Sequence, residues 1–248
     1  MMLKTPEEID AIARSGAILA ELYRALPAEV APGKTTAELD RFAESFIRDH
    51  DGAEPAFKGL YGFPASLCIS VNHEVVHGIP SSRRRLVEGD VVSLDGGVKY
   101  RGWYSDAAIT VPVGEVSPEV QELLDVTRDA MFKGIKSSQA GNRLGDIGAA
   151  IQEVAVGAGY GIVRDLVGHG IGRSPHEEPQ VPNYGRAGKG MPLEVGLVIC
   201  VEPMFNLGTA NVRTLPDRWT VVTADRRVSA HFEHTIAVTE SGPRILTA

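Results

Sequence analysis

Cysteine, long apolar runs and excess positive charge are all scarce in this chain of 248 residues. Only two cysteines occur, no apolar run approaches a membrane span, and no charged-then-apolar leader opens the sequence, so we expect a soluble cytoplasmic protein. The 25 basic residues against 32 acidic ones give a net charge of -7, which provides no attraction to nucleic acid or anionic membranes. With 43% hydrophobic side chains, residues 1–248 are predicted to form one domain with its own core.

Four helices are predicted from capping residues and from apolar residues spaced by three and four. The first three begin after the caps Thr5, Thr35 and Ser117, and the fourth covers Leu144 to Val154. A strand region follows the first helix pair, roughly Ser66 to Val111, and more strands close the chain. Two rounds of helix, helix and strands predict an α+β fold, with duplicated halves that join in one curved antiparallel sheet covered by helices on its outer face.

The segment DVVSLDGGVKYRGWYSDAAITV has the pattern of a β-hairpin. If the chain reverses between Tyr100 and Arg101, Asp95 and Asp106 face each other with Cβ atoms about 5 Å apart. Two carboxylates that close repel unless one is protonated or a cation lies between them. They are either exposed hairpin acids or part of a buried metal site, and their small and apolar neighbours favour the metal site.

Three further residues stand out later in the chain. Glycines on both sides of His169 leave its imidazole accessible, although a lone histidine is more often structural. Glu202 and Glu233 lie in nearly apolar strands, where a glutamate needs a partner. Together with the two aspartates, they make a set of four carboxylates and one imidazole that a metal would satisfy.

The charge of this set indicates the number and kind of ions. Four carboxylates carry four negative charges, which two divalent ions would nearly balance. Oxygen-rich ligation without cysteine disfavours a structural zinc site. Manganese, iron(II) or cobalt fits best, and zinc stays possible.

Six sequence features follow one another along the chain: CISVNHEVVHGIP (68–80), the two aspartates eleven residues apart, GHGIG (168–172), HEEPQV (176–181), VEPMF (201–205) and HFEHT (231–235). In this order they resemble the motifs of bacterial type I methionine aminopeptidases, which are metallopeptidases of the pita-bread fold. The resemblance covers nearly the whole chain. It implies removal of the initiator methionine from nascent proteins whose second residue is small.

The resemblance also implies roles for individual residues. The metal ligands would be Asp95, Asp106, His169, Glu202 and Glu233, with Asp106 and Glu233 shared between two ions. Glu202 would transfer the proton and His176 would stabilise the tetrahedral oxyanion. His77 would contact the peptide nitrogen beyond the scissile bond. The pocket for the first residue would be lined by Phe57, Leu60, Phe63, Cys68, Pro175 and Trp219.

The pocket departs from the family pattern at several of these positions, among them Phe57, Leu60 and Pro175, so its shape is expected to differ. His231 stands where the family often has glutamine, and it is either a residue that supports the metal ligands or a hydrogen-bonded structural histidine. The 25 residues between His176 and Glu202 resemble the type I spacing, since type II enzymes carry an insertion there. The start at Met1 predicts neither a zinc-binding extension nor the N-terminal domain usual in prolidases.

Two alternatives differ in class. Some pita-bread proteins have lost their metal ligands and bind partners instead, but all five ligand positions are filled here. The other alternative is an aminopeptidase of broader specificity or a proline-linked dipeptidase. The expected partners are nascent polypeptides and, transiently, the ribosome, and we expect a monomer with no nucleic-acid substrate and no membrane.

Overall fold

The computed structural model describes residues 3–248. Residues 3–248 contain four α-helices: Pro6–Ala25 (α1), Thr36–Arg48 (α2), Pro118–Lys136 (α3) and Leu144–Ala158 (α4). The first three begin directly after the predicted capping residues Thr5, Thr35 and Ser117. At the start of α1 the Thr5 hydroxyl accepts a hydrogen bond from the Glu8 amide, and the Glu8 carboxylate accepts one from the Thr5 amide. This reciprocal pair satisfies two amides that the helix itself leaves without partners. The same arrangement joins Thr35 and Glu38 before α2.

Strands make up most of the remaining regular structure. They are Ala53–Pro55 (β1), Cys68–Val71 (β2), Glu74–Val76 (β3), Val91–Tyr100 (β4), Trp103–Pro112 (β5), Gly161–Ile162 (β6), Gly168–Gly170 (β7), Glu177–Val181 (β8), Val198–Val201 (β9), Met204–Asn206 (β10), Val212–Thr214 (β11), Val221–Thr223 (β12), Ser229–His231 (β13), Glu233–Thr239 (β14) and Gly242–Ile245 (β15). Short 3-10 turns occur at Leu26–Glu29 and Leu60–Gly62.

The main sheet has nine antiparallel strands and is curled like half a barrel. Its central order is β1-β4-β5-β14-β9-β7-β8, with β2 also paired to β4 and β15 to β14. Two smaller sheets, β13-β10-β6 and β11-β12-β3, complete the structure. The predicted α+β fold with a curved antiparallel sheet is confirmed.

The turn of the β4–β5 hairpin lies one residue later than predicted, so each residue faces a partner two positions further along the opposite strand. The turn is formed by Arg101 and Gly102, both with positive φ, and Tyr100 pairs with Trp103. Two consecutive left-handed residues make the tight turn that matches the twist of the strands. As a result Asp95 faces Ala108 and Asp106 faces Gly97. The two aspartates are therefore diagonal neighbours on one face of the sheet, and the prediction that they pair directly was wrong.

The helices cover the sheet and bury its outer side chains. Leu123 of α3 and Ile151 of α4 are fully buried in a cluster with residues of β9 and β14, while Leu19 and Leu22 of α1 pack in a second cluster over β4 and β5. Hydrogen bonds fix α1 in place, since the Tyr23 hydroxyl donates to the Ala107 carbonyl at 2.7 Å. None of the helices within residues 3–248 combines the length and hydrophobicity that crossing a bilayer requires.

Candidate metal centre

The five predicted ligands lie on five neighbouring strands of the main sheet. Asp95 is on β4, Asp106 on β5, Glu233 at the start of β14, Glu202 directly after β9, and His169 on β7. These strands are consecutive in the order β4-β5-β14-β9-β7. Residues far apart in the chain therefore form one row across the inner face of the sheet.

The carboxylates of this row lie close together. One carboxylate oxygen from each of Asp95, Asp106 and Glu233 lies within 4.8 Å of the other two. At the next position the His169 Nε2 is 3.5 Å from the Glu202 Oε1. Asp95, Asp106 and Glu233 are each at least 93% buried. The predicted ligands are thus brought together, whereas their binding of metal stays a prediction.

Unpartnered oxygen atoms test whether these residues fit divalent ions. Each of the four carboxylates has one buried oxygen that makes no hydrogen bond to any residue the structure describes. A buried carboxylate oxygen without a partner is costly, and native structures have few of them. Oxygen-rich ligand sets with one imidazole suit manganese, iron, cobalt or zinc. The residues present therefore fit the ions that the sequence predicted.

Burial and mutual repulsion disfavour the charged forms of these carboxyl groups. Burial raises the pKa of Asp95 to about 7. Burial, Glu233 and Asp95 raise the pKa of Asp106 well above its ordinary value. Burial and the two aspartates do the same for the pKa of Glu202. Without cations, the site holds protons in place of positive charge.

The ring of His169 is oriented by the backbone. Its Nδ1 lies 2.9 Å from the Gly170 carbonyl oxygen, which can only accept a hydrogen bond, so the proton belongs on Nδ1. This leaves the lone pair of Nε2 directed at Glu202. Burial, together with His176, lowers the pKa of His169 to about 4, against the opposing effect of its hydrogen bond to Gly170. The imidazole is neutral at pH 7 and can act as a ligand.

The carboxylates form the floor of a cavity of about 580 Å³. Of the residues predicted for the substrate, His77, His176, Phe57, Leu60, Phe63, Cys68 and Trp219 line this cavity. Pro175 does not line it, so its predicted contact with the first substrate residue has no support here. The next residue, His176, lines the cavity instead, with its ring centroid 4.5 Å from that of His169.

Several lining residues were absent from the prediction: Tyr61, Val76, Leu166 and Met204. Tyr61 is 75% exposed, has a left-handed backbone and stacks on His176 with 5.9 Å between ring centroids. An aromatic residue in the glycine-rich segment GLYG was the available sequence signal. The other three are apolar, and the sequence alone does not distinguish them from ordinary core residues.

His231 lines the cavity and is 1% exposed. Neither of its ring nitrogens has a hydrogen-bond partner among residues 3–248. Burial and the nearby His77 lower the pKa of His231 to about 3, so the ring is neutral. The sequence left two roles for His231, and the absence of hydrogen-bond partners does not support the role of a hydrogen-bonded structural histidine.

A curled antiparallel sheet that carries four carboxylates and a histidine at a cavity has the donor set expected of a metal-dependent hydrolase. The model of Metallopeptidase family M24 matches residues 10–240, and the chain belongs to this family. It is 53% identical to a methionine aminopeptidase of Clostridium perfringens, covering 100% of this chain and 98% of that one. It is 47% identical to methionine aminopeptidase 1 of Bacillus subtilis, covering 100% and 99%. The crystal structure of methionine aminopeptidase from Rickettsia prowazekii superposes with a TM-score of 0.98 at 42% identity, covering all of both chains.

Proposed function

We propose that this protein hydrolyses the peptide bond after an N-terminal methionine, with a preference for a small second residue. The observation that carries the proposal is the row of four carboxylates and one histidine at the cavity floor, with unpartnered buried oxygens. The full-length similarity to proteins named methionine aminopeptidase supports the same reaction.

Two divalent ions would be held by Asp95, Asp106, His169, Glu202 and Glu233. Asp106 and Glu233, which the family resemblance implies would be shared between the ions, lie on the adjacent strands β5 and β14. Cobalt, manganese or iron(II) would suit the oxygen-rich ligands, and zinc is also compatible. When bound, the ions supply Lewis acidity and activate water at neutral pH.

The protein's own residues would bind, orient and move protons. The Glu202 carboxylate lies 3.5 Å from the His169 ring at the cavity, and it would take a proton from water and deliver it to the leaving amine. Burial lowers the pKa of His176, and burial together with His176 lowers that of His77, so both are neutral at pH 7 and each keeps one N–H donor. His176 would donate to the developing oxyanion. His77 would contact the peptide nitrogen beyond the scissile bond.

The apolar part of the cavity would receive the methionine side chain. Phe57, Phe63 and Cys68 are nearly fully buried there, and Trp219 packs edge-on against Phe63 with 5.1 Å between centroids. A flexible, polarisable thioether suits an irregular apolar slot lined by aromatic rings. An apolar pocket discriminates weakly, since one methylene changes transition-state binding by about 1–3 kcal/mol. We therefore expect other straight-chain residues to be cleaved slowly.

The proposed biological substrates are the N-termini of nascent polypeptides in the cytoplasm. The enzyme would act as a single-domain monomer that contacts the ribosome transiently. A nucleic-acid substrate is not expected from the net charge of -7.

A peptide panel tests the proposal. Metal-stripped protein, reloaded with Mn²⁺, Co²⁺ or Fe²⁺, is given Met-Ala-Ser, Leu-Ala-Ser, Ala-Ala-Ser, Met-Leu-Ser and a proline-containing dipeptide. We expect the highest kcat/KM for Met-Ala-Ser and no activity under chelation. A different best substrate would replace the methionine assignment with a broader or proline-linked peptidase. Metal binding without any hydrolysis would indicate a non-catalytic module, and full activity without metal would refute the mechanism.

A further inference from the structure

A buried thiol lies beside the carboxylate row, and the proposed reaction does not use it. Cys200 is on β9, is 0% exposed and pairs across the sheet with Thr235 of β14. Its Sγ is 3.6 Å from the Thr235 Oγ1. Thr235 and Glu233 are two residues apart on β14 and project from the same face of the sheet, which places Cys200, the partner of Thr235, on the face that carries Glu233.

The Cys200 thiol lies near two other potential metal-ligand atoms. The Sγ of Cys200, a ring nitrogen of His169 and a carboxylate oxygen of Glu233 all lie within 4.8 Å of one another. In a tetrahedral zinc site with bonds of about 2.0–2.3 Å, the ligand atoms are separated by roughly 3.3–3.8 Å. Shifts of about 1 Å in side-chain positions would thus close the three atoms around one ion.

The two partners of Cys200 each have an open ligand atom. Glu233 is 3% exposed and its Oε1 has no hydrogen-bond partner within residues 3–248. The proton on the Nδ1 of His169 is engaged by the Gly170 carbonyl, which leaves Nε2 as the coordinating atom. The group therefore offers one sulfur, one nitrogen and one oxygen.

We propose that Cys200, His169 and Glu233 form a binding position for a thiophilic divalent cation such as Zn²⁺ or Cd²⁺. Thiolates favour soft ions, whereas the neighbouring carboxylates favour hard ones. On binding, the sulfur–metal bond forms as the thiol proton leaves to solvent, and no electrons are transferred. This inference rests on the proposed metal centre, because His169 and Glu233 belong to both. A thiophilic ion would consequently displace Mn²⁺ and inhibit the peptidase.

The test is a titration of metal-stripped, full-length protein with Cd²⁺ alone, followed by the ultraviolet charge-transfer band of a cadmium thiolate. We expect the band in wild type and in Cys68→Ser, and its loss in Cys200→Ser. Cys68 is the matched control, because it is the other buried cysteine and, unlike Cys200, it lines the cavity. Cd²⁺ affinity should fall about 10-fold or more in Cys200→Ser, with a change below roughly 3-fold for Mn²⁺.

A band that persists in Cys200→Ser, or that disappears in Cys68→Ser, would overturn the proposal. A second variant, Cys200→Thr, is measured in parallel, and circular dichroism checks that both Cys200 variants are folded. Both variants should lack the cadmium thiolate band. Hydrolysis of Met-Ala-Ser by the Mn²⁺-loaded wild type separates the two ideas. Peptidase activity without a cadmium thiolate band refutes only the proposal that Cys200 is a metal ligand. A band without peptidase activity refutes the proposed reaction, while the proposal that Cys200 is a metal ligand is retained.

Discussion

Replacing Asp95 by asparagine should stabilise the metal-free protein, and the gain should grow with pH. Burial raises the pKa of Asp95 from an ordinary 3.8 to about 7. Between these two values the folded protein holds a proton that the unfolded chain has lost, so stability falls as pH rises. The penalty is complete above the folded pKa and absent below the unfolded one. Asparagine has no such proton and avoids the penalty.

The size of the effect follows from the same values. The pKa of Asp95 in the folded protein lies two pH units above pH 5, and each pH unit corresponds to about 1.4 kcal/mol of folding free energy. Asp95 should therefore destabilise wild type by about 3 kcal/mol more at pH 8 than at pH 5. For a chain of this length, that corresponds to a change in Tm of roughly 6–12 °C. The comparison must be made against wild type at each pH. Buried histidines such as His169 and His231 have lowered pKa values, so they add stability as pH rises, and this contribution cancels in the difference.

The measurement is thermal unfolding of wild type and Asp95→Asn in chelator at pH 5 and pH 8. Asp129→Asn, at an exposed position on α3, controls for the loss of one carboxylate and should show no comparable pH-dependent change. Saturating Mn²⁺ should stabilise wild type more than Asp95→Asn, because the variant lacks one ligand. A stability difference between wild type and Asp95→Asn that is equal at the two pH values would refute the reasoning.

Two further predictions concern the reaction and the core. Glu202→Gln should lower kcat for Met-Ala-Ser by roughly 10²-fold or more, because the glutamine amide cannot transfer the proton. If steady-state kinetics show an unchanged kcat and a raised KM, Glu202 acts in substrate binding instead. Leu123→Ala should lower the free energy of unfolding by about 2–5 kcal/mol, because a cavity opens between α3 and the sheet. Urea denaturation measures this free energy, and Val156→Ala at an exposed site on α4 is the control. A decrease in the free energy of unfolding of less than about 1 kcal/mol for Leu123→Ala would contradict the packing of Leu123 in the core.

Local sequence determined the helix starts because capping depends on neighbouring residues. The hydroxyl groups of Thr5 and Thr35 reach the amides three residues later in the chain, and nothing distant is needed. The hairpin was predicted for the same reason, but its register was not. Whether the chain turns at Tyr100–Arg101 or at Arg101–Gly102 depends on backbone angles and on pairing along the whole of β4 and β5, which short-range patterns constrain weakly.

By itself, the sequence established the α+β class, the helices and the candidate ligands, since a buried carboxylate in an apolar strand needs a partner in any fold. Only the tertiary structure decided which of these groups meet. The order β4-β5-β14-β9-β7 brings Asp95 within reach of Glu233 across more than a hundred residues of chain. The same long-range pairing placed Tyr61 at the cavity and Cys200 beside His169. The sequence neighbours of Tyr61 and Cys200 do not reveal these contacts, because the surrounding residues come from strands and loops that meet only when the sheet closes.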